Sequence, residues 1–314
     1  MEYLVKTNGL TKKYETQTVV KNVDLHVRPG TIYGLLGRNG AGKTTIMKMM
    51  LGLTKITEGS ITLFGKSLCD ENKRKIYPRI GSIIEAPGFY PNLTGTENLK
   101  IFSMLRGTVS RDEVKKALEI VGLPYKDKKL YSSYSLGMKQ RLGIANAIMH
   151  DPELLILDEP INGLDPIGIV EIREFLEKLC KERGKTIIIS SHILSEIDLI
   201  ADDIGIINNG YLIEESSIQK LRDKNQKYIL FRVSDSPRAS MLIEQKFGIK
   251  QYKVEDEAIL KVYQTNIVET NTINRFLMEN EIDVFETRIC NDSLEDYFKR
   301  ITGGEGNVVN LPST

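Results

Sequence analysis

Gly37-Arg38-Asn39-Gly40-Ala41-Gly42-Lys43-Thr44-Thr45 is the stretch that decides how the remaining chain is read. It fits G-x-x-x-x-G-K-[ST]. The apolar run Thr31-Ile32-Tyr33-Gly34-Leu35-Leu36 precedes it, and Ile46-Met47-Lys48-Met49-Met50-Leu51, with few helix breakers, follows. Strand, glycine-rich turn and helix in that order are the setting a phosphate-binding loop requires. Gly37, Gly40 and Gly42 allow the backbone to curl so that its N–H groups converge on phosphate oxygens, and the helix N-terminus adds positive potential. Lys43 is expected to bring a point charge to the β- and γ-phosphates, and the Thr44 hydroxyl to ligate Mg²⁺. A plain glycine turn between strand and helix is the alternative, and the Lys-Thr pair in its correct place argues against it. The whole run from Gly37 to Thr45 is a candidate binding segment for a nucleoside triphosphate.

Working outward, 314 residues are long for one ordinary domain and suggest a large unit followed by a smaller one. Basic and acidic residues number 43 and 42, so the overall charge leaves no electrostatic footprint for nucleic acid. Cys69, Cys180 and Cys290 lie far apart with no metal-ligand spacing, as suits a reducing compartment. The first residues lack the architecture of a signal peptide, and no apolar run approaches the ~20 residues of a membrane-spanning helix. The expectation is a cytoplasmic protein without direct membrane insertion, reaching a membrane only through a partner.

From Leu4 to about Val27, apolar and polar residues alternate around turn signals, which predicts antiparallel strands. Short strands follow at Glu58–Gly65 and Arg79–Glu85. Between Leu93 and His150 the pattern becomes helical: Thr94 and Ser110 open two helices, and a third spans about Met138 to Met149. Strand and helix then alternate through Leu154–Leu157, Gly168–Arg183, Thr186–Ile189, Ile193–Ala201 and Ile204–Ile207. Continuous apolar strands between helices predict a mainly parallel sheet covered on both faces. After about Lys224 the order is βαββαβ, that of a small ferredoxin-like module ending in a helix over Ser293–Thr302. The domain boundaries expected are 1–222, with a helical insert near 90–150, then 226–302, and a loose tail at 303–314.

Leu154-Leu155-Ile156-Leu157-Asp158-Glu159 is a hydrophobic strand carrying two carboxylates at its C-terminal end, where open α/β sheets place their ligands. Asp158 is a candidate Mg²⁺ ligand. Glu159 is a candidate base for the water that attacks the γ-phosphate. Alone, such an acidic pair is more often a helix cap; beside the phosphate loop the catalytic reading is stronger.

Together with that loop, Tyr134-Ser135-Leu136-Gly137-Met138-Lys139-Gln140-Arg141 resembles the signature of ATP-binding-cassette (ABC) ATPases. Asp158-Glu159 matches their second motif, Gly163-Leu164-Asp165 the loop after it, and Ser190-Ser191-His192 their switch histidine. The resemblance covers roughly Leu4 to Leu221. It implies an α/β P-loop fold with a mixed sheet, an antiparallel β subdomain and a helical insert. It also implies two nucleotide domains meeting head to tail around ATP. Ser135 and the N–H groups near Gly137 would then bind the γ-phosphate held by the partner, His192 would bond the same phosphate, and Asp165 would reach across. Tyr14 matches the aromatic that stacks on adenine.

Two departures stand out. Leu136 occupies the place of the usual first signature glycine. Glu85 stands where most relatives carry glutamine; a carboxylate still ligates Mg²⁺ but donates no hydrogen bond. Glu85, the Ser135–Arg141 run and the C-terminal unit together resemble the subgroup exporting bacitracin and lantibiotic peptides. The resemblance therefore implies an ATP-hydrolysing subunit working as a homodimer with one or two integral membrane permease subunits. Phe89, Tyr90 and Phe102 are candidates for the permease contact, with core packing an equal reading for Phe102. The rivals are an exporter of a lipid or drug, an ABC ATPase of translation or DNA repair, and a regulatory module. The single cassette, the missing basic surface and the absent coiled-coil insertion weigh against the second. Intact Glu159 and His192 weigh against the third.

Overall fold

The computed structural model describes residues 2–85, 88–107, 111–224, 227–263, 269–291, 297–298 and 301. Its contacts divide the chain into Met1–Gln219 and Lys220–Thr314.

The first unit opens with β1 (Val5–Tyr14), β2 (Gln17–Val23) and β3 (His26–Val27). After the Pro29-Gly30 turn come β4 (Ile32–Leu36) and α1 (Lys43–Met50), then β5 (Glu58–Leu63), β6 (Lys66–Ser67), α2 (Asp70–Ile76) and β7 (Ile80–Ile83). Three helices follow, α3 (Gly95–Arg106), α4 (Arg111–Ile120) and α5 (Leu136–Ile148). The chain returns to the sheet with β8 (Leu154–Leu157), α6 (Pro166–Arg183), β9 (Thr186–Ser191), α7 (Leu194–Asp198), β10 (Asp203–Asn208) and β11 (Tyr211–Ser217). α8 (Ile218–Lys224) follows and spans the boundary at Gln219 and Lys220.

Two sheets result. One is antiparallel, ordered β2-β1-β5-β6 with β3 also on β1. The other is ordered β11-β10-β4-β9-β8-β7, parallel throughout except for the β10–β11 pair. This is the mixed architecture expected. All four residues of β8 are fully buried, which is why the strand reads as an unbroken apolar run. Ile46, Met47, Met49 and Met50 of α1 share one core with Val5, Leu10 and Leu63 of the antiparallel sheet and with Tyr33, Ile156 and Ile188 of the parallel one. Burying these four apolar side chains anchors α1, and this enclosure fixes the phosphate loop at its N-terminus.

Three helix starts have a local cause in a side-chain cap. Thr94 forms a full capping box with Glu97 at the start of α3. Ser110, expected to open α4, lies outside the described residues. α5 begins two residues earlier than its apolar pattern predicts because Ser135 caps it, and α6 likewise begins at Pro166 because Asp165 caps it. Phe89 is buried edge-on against Phe102 and Tyr131, so it belongs to the packing of this helical region; Tyr90 is half exposed.

The second unit contains β12 (Lys227–Val233), α9 (Ser236–Phe247), β13 (Tyr252–Val254), β14 (Ile259–Val262), α10 (Thr270–Glu279) and β15 (Val284–Asn291). Its sheet is antiparallel with order β13-β14-β12-β15, and its core joins Ile229, Phe231, Leu260 and Val262 to Ala239, Ile243, Ile273 and Leu277 of the helices. The expected final helix and tail fall mostly outside the described residues.

Candidate nucleotide-binding site

The glycine-rich turn follows β4 directly. Gly40 and Gly42 have φ of 80° and 113°, values that side-chain-bearing residues rarely adopt. Gly42 is also packed against the Val19 carbonyl, 3.0 Å from where a Cβ would stand. Ala41 N–H bonds back to Arg38 O at 3.0 Å and closes the turn, and Gly37 N–H bonds to Ser191 O of β9. Arg38, Asn39 and Gly40 are exposed at the tip, while Thr44 and Thr45 are half-buried.

Lys43 is the buried cation of the site, 5% exposed. Its Nζ donates to Gly37 O at 2.7 Å and lies 3.3 Å from Glu159 Oε1. Glu159 Oε2 is 2.8 Å from His192 Nδ1. One carboxylate thus joins the loop lysine to the histidine after β9. Glu159 itself sits in the left-handed region, φ 49°, a strained conformation for this residue type.

Asp158 stands beside it with both oxygens engaged. Thr44 Oγ1 donates to Oδ2 at 2.7 Å and Ser190 Oγ to Oδ1 at 2.5 Å. Ser190 Oγ also accepts the Glu159 N–H at 2.8 Å. The parallel register Leu157↔Ile189 brings these residues side by side at the strand ends. Thr44 and Asp158 form a pair of hard oxygen donors. Magnesium in phosphate-transfer sites takes one or two carboxylates plus substrate phosphates, so this donor set fits it. Among the described residues no group of three or more His, Cys, Asp or Glu side chains could hold a metal without such help.

Glu85 is placed differently. Its carboxylate accepts a hydrogen bond from Lys48 Nζ of α1 at 2.7 Å, which holds it below the usual carboxylate range. Its backbone is left-handed, φ 62°.

The remaining sequence candidates cluster elsewhere. Ser135 and Gly137 at the start of α5, with Gly163, Leu164 and Asp165 before α6, line a cleft of about 560 Å³. Ser135 Oγ accepts the Met138 N–H at 3.3 Å, and Asp165 Oδ1 accepts the Gly168 N–H at 3.1 Å. Arg141 of α5 is ion-paired with Glu171 of α6 across this cleft. The structure therefore gathers Lys43, Thr44, Asp158, Glu159 and His192 at one place and Ser135, Gly137 and Asp165 at another. Tyr14 ends β1, 46% exposed, with Lys12 Nζ 4.6 Å from its ring centroid.

Two residues here were not assigned from sequence. Ser190 has no role in the motif by residue type alone, because its bridging position depends on strand register. Glu196, on α7, has its carboxyl pushed up by burial, and its Oε2 is buried without a hydrogen-bond partner. No local pattern signals it.

The fold and the loop together define a P-loop nucleotide-binding protein. Residues 20–162 match the family model described as ABC transporter. The chain is 54% identical over 306 residues to the bacitracin transport ATP-binding protein BcrA of Enterococcus faecalis, covering 98% of each. It is 46% identical over 231 residues to the lantibiotic transport ATP-binding protein SrtF of Streptococcus pyogenes, covering 73% of this chain and 98% of that one. Among solved structures, the post-hydrolysis dimer of the ATP-binding cassette MJ0796 bound to ADP and Pi superposes with a TM-score of 0.61 at 27% identity, covering 68% of this chain and 98% of the other. The chain belongs to the ATP-binding proteins of ABC transporters and is an ATPase. Among its described residues no helix is long and apolar enough to cross a membrane.

Proposed function

We propose that this chain is the ATP-hydrolysing subunit of an exporter that removes peptide antibiotics, bacitracin or a lantibiotic, from the membrane. The observation that carries the reading is the end-to-end similarity to a bacitracin transport protein, which includes the C-terminal unit beyond the cassette. Two copies would close head to tail on ATP and work with one or two permease subunits at the cytoplasmic face.

In this reading the N–H groups from Gly37 to Thr45 cradle the phosphates and Lys43 exchanges its bonds to Gly37 O and Glu159 for phosphate oxygens. Released from Lys43, Glu159 orients and deprotonates the attacking water. His192 Nδ1 keeps that carboxylate aligned, leaving Nε2 to face the γ-phosphate. Tyr14 stacks on adenine. Ser135, the N–H groups around Gly137, and Asp165 serve the nucleotide of the other copy, the first two at the positive end of α5. Thr44 and Asp158, joined by Glu85 once it leaves Lys48, would hold Mg²⁺, which when bound neutralises charge on the transferring phosphoryl group.

The test is resistance. Deleting the gene should sensitise the cell to bacitracin or a lantibiotic, wild-type protein should restore resistance, and Lys43→Ala should not. Sensitivity only to lipids or drugs would move the cargo to those classes, and unchanged sensitivity to all would overturn the exporter reading.

A further inference from the structure

We infer that the C-terminal units of two copies join edge to edge through β15, in antiparallel register centred on Thr287. β15 is an eight-residue strand at the rim of its sheet; among the described residues it pairs with β12 alone. An edge this long exposes a row of N–H and C=O groups that favours strand addition unless something blunts it. Here the side chains on the rim are apolar and oppositely charged by turns. Phe285 and Ile289 are 65% and 68% exposed, the largest fractions for apolar residues in this unit. Glu286 and Arg288 lie between them, only 3.5 Å apart and both open to solvent.

The occupant follows from that pattern. Laid antiparallel about Thr287, two copies of the strand set Glu286 opposite the partner's Arg288, both on the face of the sheet away from the helices; the bulge at Phe285 turns Val284 to the helix side beside Val233 and ends the matched run there. This pairing occurs twice by symmetry. Cross-strand pairs of opposite charge stabilise a sheet. Competing registers are worse. A centre on Glu286 or on Arg288 places like charges directly opposite each other, and a centre on Ile289 leaves Glu286 beyond the pairing. Odd shifts would set helix-side residues against residues of the other face. The ladder to β12 is regular from Lys227↔Asn291 through Arg232↔Glu286, so the central residues have strand geometry; the one irregularity lies at Phe285. The strand is self-complementary, which is the requirement of a twofold interface. The contact uses none of the residues proposed above for the nucleotide sandwich and is read without nucleotide.

The test uses the full chain with Cys69→Ser and Cys290→Ser, leaving only the buried Cys180, plus Thr287→Cys. Facing central residues of an antiparallel pair stand at roughly the 4.4–6.8 Å Cα separation a disulfide needs. Mild oxidation without nucleotide should give a cross-linked dimer. Adding Glu286→Arg or Arg288→Glu should cut its yield roughly tenfold by opposing like charges, and the two together should restore it. Circular dichroism melting establishes that each variant is folded. A folded Thr287→Cys protein that does not cross-link overturns the proposal, as does a yield indifferent to charge reversal. Cross-linking that appears only after deletion of residues 303–314 would mean the chain's own tail covers the strand, and also overturns it. Antibiotic resistance is scored separately, so loss of one reading leaves the other standing.

Discussion

Ser190 Oγ donates to Asp158 Oδ1 at 2.5 Å while accepting the backbone N–H of Glu159 at 2.8 Å. This fully buried hydroxyl therefore fixes the orientation of one carboxylate and the backbone of the next. Ser190→Ala strips a charged acceptor and orphans a shielded N–H, so it should cost about 1–3 kcal/mol in urea unfolding. It should also lower ATP turnover, because both acidic residues lose their reference point. Ser190→Thr, which keeps the hydroxyl, should recover most of the stability.

Glu159 separates chemistry from binding. Glu159→Gln should reduce steady-state ATP hydrolysis by about 10²–10⁴-fold, the usual worth of a positioned base. A fluorescent ATP analogue should bind it within a few-fold of wild type, and MgATP should accumulate dimer in gel filtration. Lys43→Ala should fail in both assays. Equal hydrolysis by Glu159→Gln and wild type would remove Glu159 from the chemistry.

Gly81 joins β7 to α5 by close contact. A Cβ there would stand 2.1 Å from Ala147 O and 2.8 Å from Leu155 Cδ2. The carbonyl belongs to helix backbone and cannot yield cheaply. Gly81→Ala should destabilise the first unit by about 1–3 kcal/mol, the range for overpacking a core, as read from the denaturation midpoint.

Cys180 and Cys69 should differ in reactivity. Burial pushes the Cys180 thiol up to about 11, and its Sγ donates to Gly30 O at 3.3 Å. Cys69 is exposed. At pH 8 iodoacetamide should modify Cys69 readily and Cys180 roughly a hundredfold more slowly. Peptide mass spectrometry should show full Cys180 labelling only in denaturant.

His150 should make stability fall on mild acidification. Burial, followed by the nearby Arg106 cation, lowers its pKa from the ordinary 6.5. Its Nε2 is 3.1 Å from Ile80 O, and its Nδ1 is buried without a partner. The unfolded chain thus takes up this proton first as pH drops. The stabilisation is complete above about pH 6.5 and is lost as pH falls toward and through the folded value. His150→Gln should flatten that slope in thermal melts between pH 5 and 7.5.

Sequence carried some of this and not the rest, for reasons of range. β4, the glycine turn and α1 are contiguous, and the chemistry of the turn is local, so the run from Ile32 to Met50 was legible from residue types alone. α2 was not: Asp-Glu-Asn-Lys-Arg-Lys-Ile buries a single side chain, Ile76, leaving no periodic signal. β11 was missed for a similar cause, since it is an edge strand with no fully buried residue. In the site, the acidic pair and histidine were visible as motifs. The bridge through Ser190 depends on distant strands meeting in the sheet, and the Lys48–Glu85 pair on α1 packing beside the end of β7. The caps at Ser135 and Asp165 were latent in the sequence, but the motif reading gave those residues another task.

The bond between Lys48 and Glu85 makes one joint of this machine sensitive to ionic strength. It clips the helix behind the phosphate loop to the segment leaving β7, using a carboxylate whose side chain is 68% open to water. A glutamine at this position would hold the lysine by a neutral contact largely indifferent to salt. Glutamate makes it an ionic latch that mobile counter-ions loosen, so the stiffness of the link between these two segments rises and falls with the electrolyte around it.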